Sequence, residues 1–267
     1  MEQAEGKSDH PCDYQRLMRI VHISDFHINS ASEVIYGVNT LANLREASDR
    51  IRSIGNLDAV IVSGDISDDG KEESYHIADS VLAGLGCPIW AVPGNHDDKE
   101  LIRSIQLGGI LFPEETILCG YRFIFLDSVV PDPEDGGNKS RGLISDDDMA
   151  RLKEMLNASP APTVVVLHHP SIEQGGGWID RRMLVNRDQF NRTVTENGHV
   201  IAVLSGHYHC SATDYLAGRL FSIAPGVSTT FGKYLKPFEE AYTPGFDILD
   251  FDGDSITKKT VNLQVSL

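Results

Sequence analysis

Five short motifs, each directly behind an apolar run, constrain the fold of this 267-residue chain most. They are Asp25-Phe26-His27, Gly64-Asp65, Gly94-Asn95-His96-Asp97, His168-His169 and Gly206-His207-Tyr208-His209. Six of the ten histidines fall inside them, so the histidines are concentrated where apolar segments end. The runs have the length of strands, which places each motif just past the carboxyl end of a β-strand. Residues 58–63 read as a strand whose centre, Ala59 to Val62, is apolar without alternation, as in a strand buried on both faces. A chain that brings polar groups back to strand ends five times needs a sheet with crossover connections.

The intervening segments agree with that requirement. Residues 17–24 read as a strand. Residues 38–54 carry Leu41, Leu44, Ala47, Ile51 and Ile54 at helical spacing and stop at Gly55. A second helix is expected over 72–85, closed by Gly84 and Gly86, and a strand over 88–92. This alternation predicts largely parallel strands with right-handed crossovers. Further on, 121–126, 163–167, 200–204 and 219–223 are strand-like. One helix, over 145–156, begins at a Ser145 cap followed by three acidic residues. Residues 245–265 read as a hairpin turning at Asp252-Gly253. The expected fold class is α/β: two packed mixed β-sheets flanked by helices, a four-layer α/β/β/α sandwich. Residues 1–16 form a polar leader, and 17–267 are expected to form one domain.

Composition excludes several classes of function. A net charge of −16 and a pI near 4.9 argue against a nucleic-acid surface, which would be basic. No apolar run approaches the roughly 20 residues that span a bilayer, and the leader lacks the apolar stretch of a secretory signal. Cys12, Cys87, Cys119 and Cys210 show no paired spacing, which predicts free thiols in a reducing compartment. Cys210, beside His209, is the one exposed to redox change. A cytoplasmic location is expected, with no membrane and no nucleic-acid polymer as partner.

Each motif alone is ambiguous. Asp25 and His27 point the same way if the strand conformation continues, but a turn aspartate beside a surface histidine looks the same. Asp65, behind a wholly apolar strand, is poorly solvated and needs a cation or several donors, or else makes an Asx turn. Gly94 permits a tight turn and Asn95 offers a neutral carbonyl oxygen. His168 could simply cap its strand. His207 and His209 repeat the one-residue spacing at another strand end. Together, these oxygen and nitrogen donors without sulfur suit two hard-to-borderline divalent cations.

In order and type, the motifs resemble those of the calcineurin-like metallophosphoesterases, over about residues 20–226. Within that superfamily the resemblance is greatest to bacterial class III cyclic nucleotide phosphodiesterases and glycerophosphodiesterases. Tyr36-Gly37-Val38-Asn39, Gly64-Asp65-Ile66-Ser67-Asp68-Asp69-Gly70, Gly94-Asn95-His96-Asp97-Asp98-Lys99, Leu167-His168-His169-Pro170, Trp178-Ile179-Asp180 and Asn186 carry it. The resemblance implies that Asp25, His27, Asp65 and His209 hold one metal. Asp65, Asn95, His168 and His207 would hold the other, with Asp65 bridging. It implies that His96 faces the substrate phosphate as donor or proton source, that His169 lies on the substrate side or just behind the ligands, and that Asn39 contacts substrate. The cofactors would be two divalent ions among Mn, Fe, Zn and Co.

The chemistry expected of such a centre is attack of a metal-bound hydroxide on phosphorus. Ser/Thr protein phosphatases of the superfamily carry arginines where this chain has Asp69 and Pro93. A dianionic monoester benefits from such clamps, so a small, singly charged phosphodiester is the expected substrate. Cyclic nucleotides, 3',5'-cAMP first, lead. Glycerophosphodiesters or 2',3'-cyclic nucleotides are the alternative, and a non-catalytic scaffold is a third reading that eroded ligands would have marked. Phe231, Tyr234, Phe238 and Tyr242 form an aromatic stretch that suits either a lid or base stacking, or else a hairpin or a dimer contact. The resemblance leaves a homodimer or larger homo-oligomer open.

Overall fold

The computed structural model describes residues 17–35, 37–131, 136–137, 139–175, 177–229 and 243–264. The leader, Cys12, Tyr36 and the aromatic stretch over 231–242 lie outside these.

Strand β1 (Met18–Ile23) shows how the layers are built. Its side chains alternate between two faces: Met18 and Ile20 enter one apolar cluster, Val21 and Ile23 another. The next elements are the two-residue strands β2 (Val34–Ile35) and β3 (Val38–Asn39), then helix α1 (Thr40–Arg52), β4 (Ala59–Val62), α2 (Glu72–Leu82) and β5 (Ile89–Ala91). α3 (Lys99–Ser104), β6 (Ile110–Leu111), β7 (Glu115–Leu118), β8 (Tyr121–Phe125), α4 (Asp146–Ala158) and β9 (Thr163–Val166) follow. After a short 3-10 helix (Trp178–Arg182) come α5 (Arg187–Glu196), β10 (Val200–Ser205), β11 (Ala212–Leu216), β12 (Arg219–Ile223), β13 (Gly245–Asp252) and β14 (Ser255–Asn262).

Two six-stranded mixed sheets result, ordered β14-β13-β1-β4-β5-β6 and β11-β12-β10-β9-β8-β7. β1, β4, β5 and β6 run parallel, as do β8, β9, β10 and β12; β13, β14, β7 and β11 are antiparallel additions. Trp90 lies 6.1 Å from Phe123 and Tyr121 5.3 Å from Phe251, ring to ring across the sheets. α1 and α2 cover the outer face of the first sheet through Leu44, Ala47, Ile51, Tyr75 and Ala78. α4 and α5 cover the second through Met149, Leu152, Phe190 and Val194. This is the expected α/β/β/α sandwich.

The local signals worked where they were strong. α4 starts at Ser145, whose hydroxyl accepts from Asp148 N, and its first turn is acidic. α1 starts two residues later than its apolar spacing predicts, because Val38 and Asn39 pair with Val34 and Ile35. α2 ends at Leu82, where Ala83 leaves the helix. α3 and α5 were not anticipated. α5 buries only Phe190 and Val194, and α3 only Ile102, so neither shows an apolar stripe. The edge strand β11 is mostly exposed and carried no strand pattern either.

At one edge a buried ion pair joins the sheets. Lys258 on β14 lies 2.9 Å from Asp247 and donates to Ala212 O, Ser222 Oγ and Ile223 O in the other sheet. Asp247 is fully buried. Burial raises its carboxyl above the ordinary value, against the pull of Lys258 and Thr260. Lys258→Met is expected to cost about 3–5 kcal/mol, because it strands a buried carboxylate. Urea unfolding measures this; an unchanged midpoint would show that the pair contributes nothing.

Among the described residues no helix is long and apolar enough to cross a membrane. The three described cysteines are not joined in disulfides.

Candidate metal centre

The motif loops extend the parallel ladders beyond the strands and then bend. Asp25 N donates to Gly64 O, His27 N to Asp65 O, and Gly206 N to His168 O. Asp25, His27, Asp65, His207 and His209 all adopt positive φ, between 48° and 68°. Non-glycine residues in that region each cost on the order of 1–3 kcal/mol and concentrate at functional sites. The close approach of the loops also requires missing side chains. A Cβ on Gly94 would overlap the Asp65 carboxylate, and one on Gly206 would overlap Ser24 Oγ.

The result is one cluster at the carboxyl ends of both sheets. Asp25 Oδ1 lies 3.2 Å from His209 Nε2 and 3.9 Å from His27 Nε2. Asp65 Oδ2 lies 3.6 Å from His27 Nε2 and 3.3 Å from His168 Nε2. Asn95 Oδ1 is 3.2 Å from His168 Nε2. Asp65 thus stands between two groups, one of Asp25, His27 and His209, the other of Asn95, His168 and His207. Most of the cluster is buried; Asn95, His96 and His207 are partly exposed and form its opening.

The outward ring nitrogens determine what the inward ones can do. Carbonyl oxygens only accept, so His168 Nδ1 donates to Ser63 O (2.7 Å), His209 Nδ1 to Thr229 O (2.9 Å) and His207 Nε2 to Ser140 O (3.1 Å). In a neutral ring the other nitrogen is then a bare lone pair. His207 Nδ1 faces His168 Nε2 at 3.1 Å, and His27 Nε2 faces His209 Nε2 at 3.2 Å. Lone pairs at such distances repel unless positive charge lies between them. Asp25 Oδ1, fully buried, also lacks a hydrogen-bond donor. Among the described residues the ion pairs of Asp25 and Asp65 come from histidines alone. Two buried carboxylates, facing lone pairs and an amide oxygen fit divalent cations.

Without a cation, protons supply part of that positive charge. Burial works to raise the carboxyls of Asp25 and Asp65, yet neighbouring His209 and His168 hold both below the ordinary range. Burial would pull His168 down, but Asp65 and Asp25 override it and push the ring up to about 9. His207 falls to about 3 through burial and the neighbouring His168. His27 is also lowered, chiefly by burial.

Several supporting residues escaped the motif reading. Asp97 Oδ1 and Oδ2 accept from Ser67 N, Ile66 N and Gly94 N, tying the second motif to the third. Asp68 stands 3.4 Å from His27 Nδ1 and 3.6 Å from His96 Nδ1. Both aspartates lie inside the quoted motifs, and only their partners, remote in sequence, reveal the role. His169 is fully buried, with Nδ1 on Ser128 Oγ and Nε2 on Lys139 O, so it sits behind the cluster. Asn39 is not brought to the cluster by any described contact. It caps α1, accepting from Ala42 N, and donates to Glu33. Asn186 fixes Ile144, and Asp180 accepts from Gln174 N; both order loops near the site.

The profile of the calcineurin-like phosphoesterases matches residues 18–211, which includes all five motifs. The chain belongs to this family. A probable cyclic nucleotide phosphodiesterase of Coxiella burnetii is 30% identical over 81% of this chain and 86% of its own length. A glycerophosphodiester phosphodiesterase of Enterobacter lignolyticus is 30% identical over 72% of this chain and 71% of its own. A dimetal phosphatase from Danio rerio, 16% identical, superposes with a TM-score of 0.69 over 92% of this chain and 96% of that one. At that identity the likeness establishes the fold alone. Calcineurin-like phosphoesterases use divalent metals, and the cluster stands where the family motifs converge.

Proposed function

We propose that this calcineurin-like phosphoesterase is a metal-dependent phosphodiesterase with two metal positions. Asp25, His27, Asp65 and His209 form one, and Asp65, Asn95, His168 and His207 the other. The carrying observation is the pair of facing imidazole nitrogens on either side of Asp65. Divalent cations bound there supply charge neutralisation and activation of water near neutral pH.

The chain's own groups supply orientation and the proton. His96 N donates to Asp65 Oδ1 at 2.9 Å, which fixes the backbone of the third motif. The His96 ring meets His27 edge-on at 4.7 Å, with Nδ1 turned toward Asp68 O and its carboxylate. Nε2 is then the atom left for substrate. With the ring protonated on both nitrogens, Nε2 would donate to a phosphoryl oxygen and pass that proton to the departing alkoxide.

A diester fits better than a monoester. Asp69 accepts from Ser30, Ser67 and Ser74 and lies 3.1 Å from Lys71, so it orders its loop and offers a phosphate no cation. Arg182 is engaged with Ser140 Oγ. The names of the relatives add support for cyclic nucleotides, and for glycerophosphodiesters as the second reading.

The test is kcat/KM on metal-reconstituted protein for 3',5'-cAMP, 2',3'-cAMP, glycerophosphoethanolamine and paired p-nitrophenyl mono- and diesters. Diester preference is expected, led by 3',5'-cAMP. Preference for glycerophosphoethanolamine or 2',3'-cAMP would shift the assignment to the second reading, and monoester preference would overturn the diester assignment.

A further inference from the structure

One of the two proposed metal positions depends on a segment outside all five motifs. Residues 139–142 cross directly over His207 and His169. Lys139 O accepts from His169 Nε2 and Ser140 O from His207 Nε2, both at 3.1 Å. The segment is pinned along its length. Arg182 holds Ser140 Oγ, Gly142 O accepts from Val185 N at 2.7 Å, and Leu143 N donates to Ser128 O at 3.0 Å. It also lies close enough that a Cβ on Gly142 would overlap the His169 ring.

His169 is the spacer between this strap and the cluster. Its ring centre lies 4.5 Å from that of His207 and 4.9 Å from that of His168. Since Nε2 donates to Lys139 O, Nδ1 of the neutral ring accepts from Ser128 Oγ at 3.0 Å. The same hydroxyl accepts from His169 N at 3.1 Å, so the ring is locked from both ends. His209 and His27 take their outward partners from elsewhere: Thr229 O and the Asp68 carboxylate. The strap therefore touches one metal position and leaves the other alone.

We propose that the 139–142 strap, with His169 as its spacer, commits His207 to ligation through Nδ1. It thereby sets the affinity of the Asn95/His168/His207 position independently of the Asp25/His27/His209 position. This rests on the two-metal reading above. Gly142 and His169 act as positioning residues: neither needs to touch metal or substrate. A partner on the outer nitrogen of a ligating histidine fixes its tautomer and direction, and its loss weakens metal binding by about 10–100-fold.

Two measurements test this. Calorimetric titration with Mn²⁺ reads each position. Wild-type protein is expected to bind two ions, and Gly142→Ala to bind one about 10–100-fold more weakly with the other unchanged. Equal weakening of both ions, or none, would overturn the proposal. The second readout needs no variant. In zinc-loaded protein, ¹⁵N–¹H correlation of the histidine rings should find the His207 proton on Nε2 and the metal on Nδ1. The reverse assignment would overturn the strap's role even if the variant failed to fold. Wild-type protein that binds no Mn²⁺ would instead overturn the metal reading beneath it.

Discussion

Asp65→Ala is expected to empty both metal positions at once and to lower kcat for any diester by at least about 10³. That is the scale on which one preorganised charge-stabilising donor acts, before loss of water activation is added. The reason is its place in the cluster. Oδ2 stands within 3.6 Å of imidazole nitrogens from both groups, while Oδ1 accepts from His96 N. No other described residue reaches both groups in this way. Removing its charge leaves four neutral imidazoles, one amide oxygen and Asp25, a set with too little negative charge for two dications. Elemental analysis of purified protein gives the metal content directly, and circular dichroism reports whether the fold survives. A folded variant that kept two ions per chain would remove Asp65 from the bridging position.

His96→Ala is expected to do something different: both ions stay and kcat falls by about 10²–10⁴, the range for loss of a general acid. The separation follows from geometry. The His96 ring is partly exposed at the mouth of the cluster, its Nδ1 is turned to Asp68, and none of the facing lone-pair contacts involves it. Its backbone N–H, which does hold Asp65, survives the substitution. The loss should be greatest for substrates with poor leaving groups. A p-nitrophenyl diester, whose phenolate departs without a proton, should lose least. Equal losses on both substrate types would rule out proton donation and leave His96 a charge-stabilising role. Full activity would remove it from the chemistry.

The two substitutions mark the limit of what the motifs could convey. Asp65 and His96 are legible because the roles proposed for them, ligation and proton donation, require particular side chains, and the apolar runs before them announce a sheet edge. Ser63, Thr229 and Ser140 act through main-chain carbonyls, which every residue carries, so no residue type signals them. Asp97 was visible as a letter of the third motif. Its function lies in three amide partners, two of them about thirty residues away. Asn39 shows a role that the motifs did not signal. The resemblance placed it on the substrate side, whereas the described contacts engage its side chain as the cap of α1. Of the secondary structure, the buried strands and the helices with apolar stripes were legible. α3, α5 and the short or exposed strands β2, β3, β6, β7 and β11 were not, because elements that bury at most two side chains leave no periodicity to read.

By itself the sequence determined which groups gather at the strand ends, and with them the sandwich architecture and the donor chemistry of the centre. Hydrophobic patterning and ligand type are properties of individual residues and their spacing. Only the tertiary structure decided which nitrogen of each histidine faces inward, that Asp65 stands between two donor groups, and that a strap from another loop holds His207. Those depend on backbone groups converging from segments as much as a hundred residues apart, where identity no longer matters and position does.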